Sequence, residues 1–178
     1  ENKVPYKAEN IVVSNGAKQS IANALLALLN PGDEVIIFSP YWVSYDALVR
    51  LTEATPVIVQ GGIDNDFKVT PAQLEAAITA KTKAIMFSSP CNPTGSVFSG
   101  KELQDIAKIV LKHPDLLVIA DEIYEHINFT GEQVSIASFP GMFDRTITVN
   151  GFAKGFAMTG WRVGYIAAPK WIADGCNK

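Results

Sequence analysis

The stretch LLVIADEIY, Leu116–Tyr124, decides the fold of this chain. Leu116–Ala120 is a short, uninterrupted apolar run, which is typical of a strand buried on both faces of a parallel sheet. Polar residues begin directly after it, with Asp121. Because an unpaired buried carboxylate is costly, we expect Asp121 to cap a helix or to meet a cation. Tyr124, three residues later, is expected on the same side of one turn.

The other polar residues that follow this strand have simpler interpretations. Glu122 and Glu125 are expected to be solvated, as most glutamates are. His126 has no visible partner for metal or triad chemistry, so we interpret it as a packing or surface residue.

Similar apolar runs, rich in Val and Ile, lie on both sides of this stretch and alternate with helical patterns. The predicted strands are Ile11–Val13, Glu34–Phe38, Pro56–Val59, Ala84–Phe87, Leu116–Ala120, Thr146–Val149 and Val163–Ala167. This alternation predicts an α/β protein, a three-layer αβα sandwich around a mostly parallel sheet.

Helix signals separate several of the strands. Thr70–Gln73 and Ser99–Glu102 each have the form of a capping box, with apolar residues at helical spacing behind them. A helix from about Ala17 to Leu29 is expected to end at Asn30–Asp33. Since ligands of such sheets bind at the carboxyl ends of the strands, the loops just after the strands are where we expect function.

The composition favours one domain that acts on a small molecule. The 178 residues are 48% hydrophobic, and 15 basic against 18 acidic residues give a net charge of −3 with no basic stripe for nucleic acid. No apolar run is long enough to span a membrane, and no signal peptide is visible. Cys91 and Cys176 form neither a metal-ligand pair nor a disulfide framework, so we expect a cytoplasmic protein without a metal site.

Two strand-to-helix turns carry candidate binding residues. Ser14–Lys18 turns directly into a helix, where Gly16 and backbone N–H groups could hold an anion, although glycine at such a turn more often serves geometry. After the next strand, Tyr41, Trp42 and Tyr45 could stack on a flat ligand, although core packing is the commoner use of aromatic residues. Each signal is weak alone.

Two later loops carry stronger candidates. Two prolines and a glycine in Ser88–Gly95 hold the Asn92 amide in place, either as a donor to a ligand or as an ordinary asparagine turn. The stretch NGFAKGFAMTGWR, Asn150–Arg162, contains Lys154. A lysine in a partly buried, cation-rich pocket can lose its proton and attack a carbonyl; otherwise Lys154 is an ordinary snorkelling lysine. Arg162 suits a phosphate or a salt bridge equally well.

Taken together, these motifs resemble the fold-type I pyridoxal-phosphate aminotransferases of class I. The matching motifs, in family order, are SNGAKQ, NPGDEVI, SPYWVSY, NPTG, DEIYEH and AMTGWRVGY. PYWVSY and DEIYEH are similar to the bacterial aspartate aminotransferase branch. The resemblance implies a homodimeric enzyme that uses pyridoxal 5′-phosphate to move an amino group from an amino acid, with aspartate expected, to 2-oxoglutarate.

The resemblance also implies a cofactor site and individual roles. Catalysis would fall to Lys154, which binds the cofactor covalently and moves a proton, to Asp121 at the pyridine nitrogen, and to Tyr124 at the phenolate oxygen. Trp42 and Asn92 would also contact the substrate. The cofactor-binding residues would be Gly16, Ala17, Lys18, Trp42, Asn92, Asp121, Tyr124, Lys154 and Arg162. Many family members have serine where Ala153 stands, so one phosphate donor is missing here.

The resemblance covers only the large domain of this family. Residues 1–178 are therefore predicted to be an incomplete cofactor-binding large domain, without the small domain that both termini build. The chain begins at Glu1 without an initiator methionine, and we expect it to be part of a longer protein and inactive alone. The alternatives are a β-lyase or another amino-acid transaminase on the same scaffold, and the aminotransferase-like sensor domain of a transcription regulator.

Overall fold

A computed structural model describes residues 3–178, in which seven strands form one sheet in the order β1-β7-β6-β5-β4-β2-β3. The strands are β1 (Ile11–Asn15), β2 (Glu34–Ser39), β3 (Thr55–Gln60), β4 (Thr82–Ser88), β5 (Leu117–Asp121), β6 (Thr146–Gly151) and β7 (Val163–Ala167). β2 through β6 pair in parallel, whereas β7 pairs antiparallel with both β6 and β1. The predicted mostly parallel sheet is confirmed, with each strand within two residues of its predicted ends.

Five α-helices flank the sheet in the described residues. They are α1 (Ala17–Leu28), α2 (Ser44–Leu51), α3 (Pro71–Ala77), α4 (Gly100–Leu111) and α5 (Lys170–Cys176). Both predicted capping boxes form: the Thr70 hydroxyl accepts from the N–H of Gln73 before α3, and the Ser99 hydroxyl accepts from the N–H of Glu102 before α4. Each box satisfies backbone donors that the first helical turn leaves open.

Alternating side chains of the sheet build a core on each face. Along β2, Val35 and Ile37 pack in the core that α1, α2 and α5 cover. Ile36 and Phe38 point to the other face and pack in the core that α3 and α4 cover. All four side chains are buried, which contributes roughly 1.5–3 kcal/mol for each. The predicted three-layer αβα arrangement is confirmed.

The strand directions bring distant segments to one edge of the sheet. β7 is antiparallel to both of its neighbours, so β1 runs in the same direction as β6. The carboxyl ends of β1, β2, β4, β5 and β6 therefore share an edge with the amino end of β7. No helix within residues 3–178 has the length and apolar character that crossing a membrane requires.

Candidate active site

A cavity of about 180 Å³ opens at the edge where these strands end. Eight of the nine predicted cofactor-binding residues line it. The ninth, Gly16, does not line the cavity but lies against the guanidinium of Arg162. The eight are Ala17, Lys18, Trp42, Asn92, Asp121, Tyr124, Lys154 and Arg162. Tyr45, Ser88, Ile123, Ala153 and Thr159 complete the lining. The fold thus gathers residues from five segments of the chain around one space.

Asp121, at the end of β5, supplies a buried carboxylate to this cavity. It is 5% exposed, and it accepts hydrogen bonds from the Tyr45 hydroxyl at 2.7 Å and from the Ile123 N–H at 3.2 Å. Burial raises the pKa of Asp121 to about 6, although both hydrogen bonds and the charge of Lys154 act in the opposite direction. Of its two expected roles, Asp121 does not cap an α-helix, because a 3₁₀ turn at Glu125–Ile127 follows β5, whereas the charge of Lys154 does act on it, as expected of a carboxylate that meets a cation.

Tyr45 contributes to this cavity in a way that the sequence analysis did not predict, because it donates a hydrogen bond to Asp121 and was expected only to stack on a ligand or to pack in the core. Burial, followed by the neighbouring Asp121 charge, raises its pKa well above the usual value, so its hydroxyl remains a donor. The Tyr45 and Trp42 rings are nearly perpendicular, with their centres 5.7 Å apart. The spacing in PYWVSY could have indicated that Tyr45 lies beside Trp42, because the two are three residues apart and Tyr45 lies in the first turn of α2. Nothing in that motif indicates a bond to Asp121, 76 positions later.

Asn92 and Tyr124 form a neutral polar wall of the cavity. The Asn92 side-chain amide donates to the Tyr124 hydroxyl at 3.4 Å, and the Asn92 backbone N–H donates to the Ser88 hydroxyl at 3.3 Å. Ser88 ends β4 and Tyr124 follows β5, and these are neighbouring parallel strands. The two side chains can therefore donate to the same oxygen of a ligand.

Lys154 lies on the open side of the cavity. It is exposed, so its position does not match the first of its two interpretations, an amine in a partly buried pocket. Its Nζ lies 5.6 Å from the centre of the Tyr124 ring, within cation–π range. The Ala157 N–H closes a turn on the Lys154 carbonyl at 3.0 Å, and the Thr159 hydroxyl donates to the Ala153 carbonyl at 3.0 Å.

Arg162 and the start of α1 make the cavity electrostatically positive. Gly16 has φ +84°, and a Cβ at this position would overlap the Arg162 guanidinium, so only glycine lets the arginine lie against the first turn of the helix. Lys18 places its Nζ 4.9 Å from the centre of the Trp42 ring. With Lys154, three cationic side chains surround the cavity, and Asp121 is the only acidic residue lining it in the described part of the chain. The positive end of α1 adds to this field, which suits an anionic ligand.

Two expectations about the glutamates near this site are wrong. Glu122 is buried rather than solvated, at 2% exposure. Glu125 is mostly buried as well, and its carboxylate accepts a hydrogen bond from the side chain of Asn150 at 2.7 Å. His126 is partly exposed and packs edge-on against Phe156 at 4.9 Å, as its interpretation as a packing or surface residue predicted. Within residues 3–178 no cluster of His, Cys, Asp and Glu is placed to hold a metal ion.

An α/β sheet that gathers a lysine, a buried carboxylate and the start of a helix at the carboxyl ends of its strands has the features of a small-molecule binding site. Comparison with known proteins makes this specific. The chain belongs to the family "Aminotransferase class I and II", whose model matches residues 1–178.

Individual members of this family that are similar to the chain are aminotransferases with named substrates. The chain is 56% identical over 179 residues to a bifunctional aspartate aminotransferase and glutamate/aspartate-prephenate aminotransferase from Petunia hybrida, covering 100% of this chain and 37% of the relative. It superimposes with a TM-score of 0.96, at 41% identity, on an aspartate aminotransferase from Rhizobium meliloti, covering 99% of this chain and 44% of that one. An aromatic aminotransferase from Pyrococcus horikoshii gives a TM-score of 0.94 at 45% identity, with 98% and 47% covered. The chain thus spans less than half the length of these relatives.

Proposed function

We propose that the protein to which this chain belongs is a pyridoxal-phosphate-dependent aminotransferase that moves an amino group from aspartate to 2-oxoglutarate. The observation that carries the proposal is one cavity that holds three cationic side chains and a single buried carboxylate. The names of the Petunia hybrida and Rhizobium meliloti relatives support aspartate as the amino donor.

The residues around the cavity fit pyridoxal phosphate. Its phosphate requires donors and positive charge, which the start of α1 and Arg162 supply, and the missing Cβ of Gly16 leaves room for both. Its planar ring matches the aromatic face of Trp42, and its aldehyde matches the amine of Lys154. When bound, this cofactor supplies an electron sink for charge that develops on the substrate.

Asp121 would keep a proton on the pyridine nitrogen. A carboxylate with a pKa of about 6 is mostly ionised at pH 7, so it can face a protonated ring nitrogen as a counter-ion. The bonds from Tyr45 and from the Ile123 N–H orient its two oxygens. Because the carboxylate is buried, its attraction for that proton is weakly screened by water.

The residues on the opposite side of the cavity would hold and move protons. Tyr124 and Asn92 would donate to the phenolate oxygen of the ring, since their polar atoms already lie together. Lys154, as a free amine, would take a proton from the substrate α-carbon and later release it, so that one group would act as general base and as general acid. Its position on an exposed loop leaves room for the substrate beside it.

A transaminase with another amino-acid substrate is the second candidate. The names of the Pyrococcus horikoshii structure and of the Petunia hybrida relative include aromatic and prephenate substrates. A screen of amino donors and 2-oxo acceptors on the longer protein would separate aspartate from these substrates, and would also reveal a β-lyase by the keto acid that it releases without an acceptor.

We also propose that residues 1–178 are an incomplete large domain, and that the whole enzyme is a cytoplasmic homodimer with a second, smaller domain. The partial coverage of the relatives supports a longer protein. Cys91 and Cys176 are both free thiols, which suits a reducing compartment.

Borohydride reduction in the presence of pyridoxal phosphate tests the proposed site directly. We expect excess cofactor to give the chain a visible absorption band, and borohydride to remove the band while fixing the cofactor on Lys154, as a peptide map by mass spectrometry would show. Lys154→Ala should give neither, whereas Lys101→Ala, which removes an exposed lysine of α4, should behave as the wild type. Equal labelling of Lys101 and Lys154 in the wild type would contradict the proposal.

A further inference from the structure

Tyr124 and Lys154 lie on two loops that leave neighbouring parallel strands. β5 and β6 pair through Asp121 and Val149 near their ends. The 3₁₀ turn Glu125–Ile127 follows Tyr124 directly, and the loop of residues 152–157 carries Lys154. The relative position of this turn and this loop therefore decides how the lysine amine lies over the Tyr124 ring.

Glu125 connects the turn to the end of β6. Its Oε1 accepts a hydrogen bond from the Nδ2 of Asn150 at 2.7 Å. Asn150 is 2% exposed, and its Oδ1 accepts the N–H of Gly151 at 2.7 Å, so both ends of its amide are used. Because residue 150 comes just before the lysine loop, this bond fixes the point at which the loop begins.

His126 connects the same turn to the middle of the lysine loop. Its Nε2 lies 3.4 Å from the Oε1 of Glu125, and its ring meets the Phe156 ring at 4.9 Å. A Cβ on residue 155 would lie 2.7 Å from the His126 Cβ and 3.0 Å from its Cδ2. Gly155 does not have a left-handed φ, so the close approach of His126, and not the backbone conformation, requires glycine next to the lysine.

We propose that Glu125, His126 and Asn150, here called the Glu125 clamp, are positioning residues for Lys154. The clamp holds the loop of residues 152–157 against the turn that follows Tyr124, and so keeps the lysine amine at the mouth of the cavity. None of the three residues lines the cavity, so the clamp acts on the lysine through the backbone of its loop. The proposal rests on the proposed function only for the task of Lys154, because the contacts themselves are independent of any cofactor.

Hydrogen exchange of the backbone amides tests the clamp without a cofactor. The reporters are the N–H of Ala157, which donates to the Lys154 carbonyl, and the N–H of Met158, which donates to the Phe152 carbonyl at 3.2 Å. Glu125→Ala should speed exchange at both amides by about tenfold or more, because local opening of the loop costs less free energy. Unchanged protection at both amides would overturn the proposal.

Graded variants separate positioning from general destabilisation. Glu125→Gln keeps an acceptor for Asn150 and should restore most of the protection, whereas His126→Ala should lose part of it. Glu75→Ala is the control, since it also removes a glutamate that contacts another side chain, Lys112 at 2.6 Å, but on a remote surface. Amides of α4 report the whole fold: loop exchange that rises only together with exchange in α4, in both Glu125→Ala and His126→Ala, would also overturn the proposal.

A double variant tests the contact at Gly155. Gly155→Ala should speed exchange at Ala157 because the new methyl group cannot coexist with His126 in its present position. In the background His126→Gly, the same substitution should have little further effect. Additive effects of the two changes would contradict the clamp, because residues in contact are expected to be coupled.

A second readout uses pyridoxal phosphate itself. The clamp variants should trap less cofactor on Lys154 at a given concentration, while labelling of Lys101 stays unchanged. If pyridoxal phosphate labels Lys154 of the wild type no more than Lys101, the proposed function is wrong. The hydrogen-exchange result then still decides whether the Glu125 clamp positions the loop. If the wild type prefers Lys154 and the clamp variants trap it equally well, the clamp fails alone.

Discussion

Asp121 ends β5, Lys154 follows the neighbouring parallel strand β6, and both face one cavity, but only the carboxylate is enclosed by the core. Asp121 is 5% exposed and holds two hydrogen bonds from within the protein, whereas Lys154 is exposed on an outer loop. The protein thus encloses the carboxylate, whereas it leaves the lysine open to solvent and to a ligand. Substitutions at the two positions should therefore affect stability very differently.

The largest effect is expected from Asp121→Asn, which should change how the free energy of unfolding depends on pH. The pKa of Asp121 is raised from 3.8 to about 6 by folding, so its contribution to stability is fully present below about pH 4 and is lost as the pH rises through 6. The wild type should lose about 3 kcal/mol of unfolding free energy across this range for this group. Urea unfolding of the wild type and of Asp121→Asn from pH 4 to pH 8 measures this free energy. The variant should not show the loss of stability between pH 4 and pH 6.

A smaller effect is expected from Tyr45→Phe, which removes one hydroxyl and keeps the ring. Loss of a hydrogen bond to the buried carboxylate should cost about 1.5–3 kcal/mol at pH 8 and raise the pKa of Asp121 above 6, since this bond favours the ionised form. The same unfolding series should show the midpoint of the pH dependence moving upward. Tyr6→Phe, which removes a hydroxyl bonded to Thr148 at 3.1 Å, should leave that midpoint unchanged.

The smallest effect on stability is expected from Lys154→Met. An exposed lysine without an ion pair in the described residues contributes little to folding, so the unfolding free energy should change by no more than about 0.5 kcal/mol. Thermal or urea unfolding checks this value. A loss of unfolding free energy as large as that of Tyr45→Phe would show that the fold holds Lys154 as firmly as Asp121. The two positions would then not differ in their contribution to stability.

Much of the fold could be predicted because apolar runs report burial directly. The ends of β5 show the limit of such patterns. Asp121 belongs to the strand, since its pairing with Ser88 and Val149 continues the ladder beyond the last apolar residue. Hydrophobicity marks where side chains are buried, while backbone pairing decides where a strand ends. The alternation of strands and helices along the sequence predicts the three layers. It does not predict that β7 pairs antiparallel with its neighbours.

The predicted site residues were brought together, but their surroundings could not be predicted. Family motifs named Asp121 and Lys154, yet the burial of one and the exposure of the other depend on segments remote in the chain. Tyr45 meets Asp121 across 76 positions, and Asn150 meets Glu125 across 25. Patterns within one segment carry no information on such contacts, which is why Glu125 was expected in solvent.

The place of β1 in the sheet has a consequence for how the protein is made. β1 is an edge strand whose one neighbour is β7, with Ser14 paired to Gly164. During synthesis β1 must therefore wait for β7 before it can join the sheet, because chains emerge from the amino end. The turn at Gly16 meets Arg162 in the same event. A nascent chain that ends before β7 already contains every strand that pairs in parallel within residues 3–178, but not the strand that joins β1 to β6 and brings the Gly16 turn to Arg162.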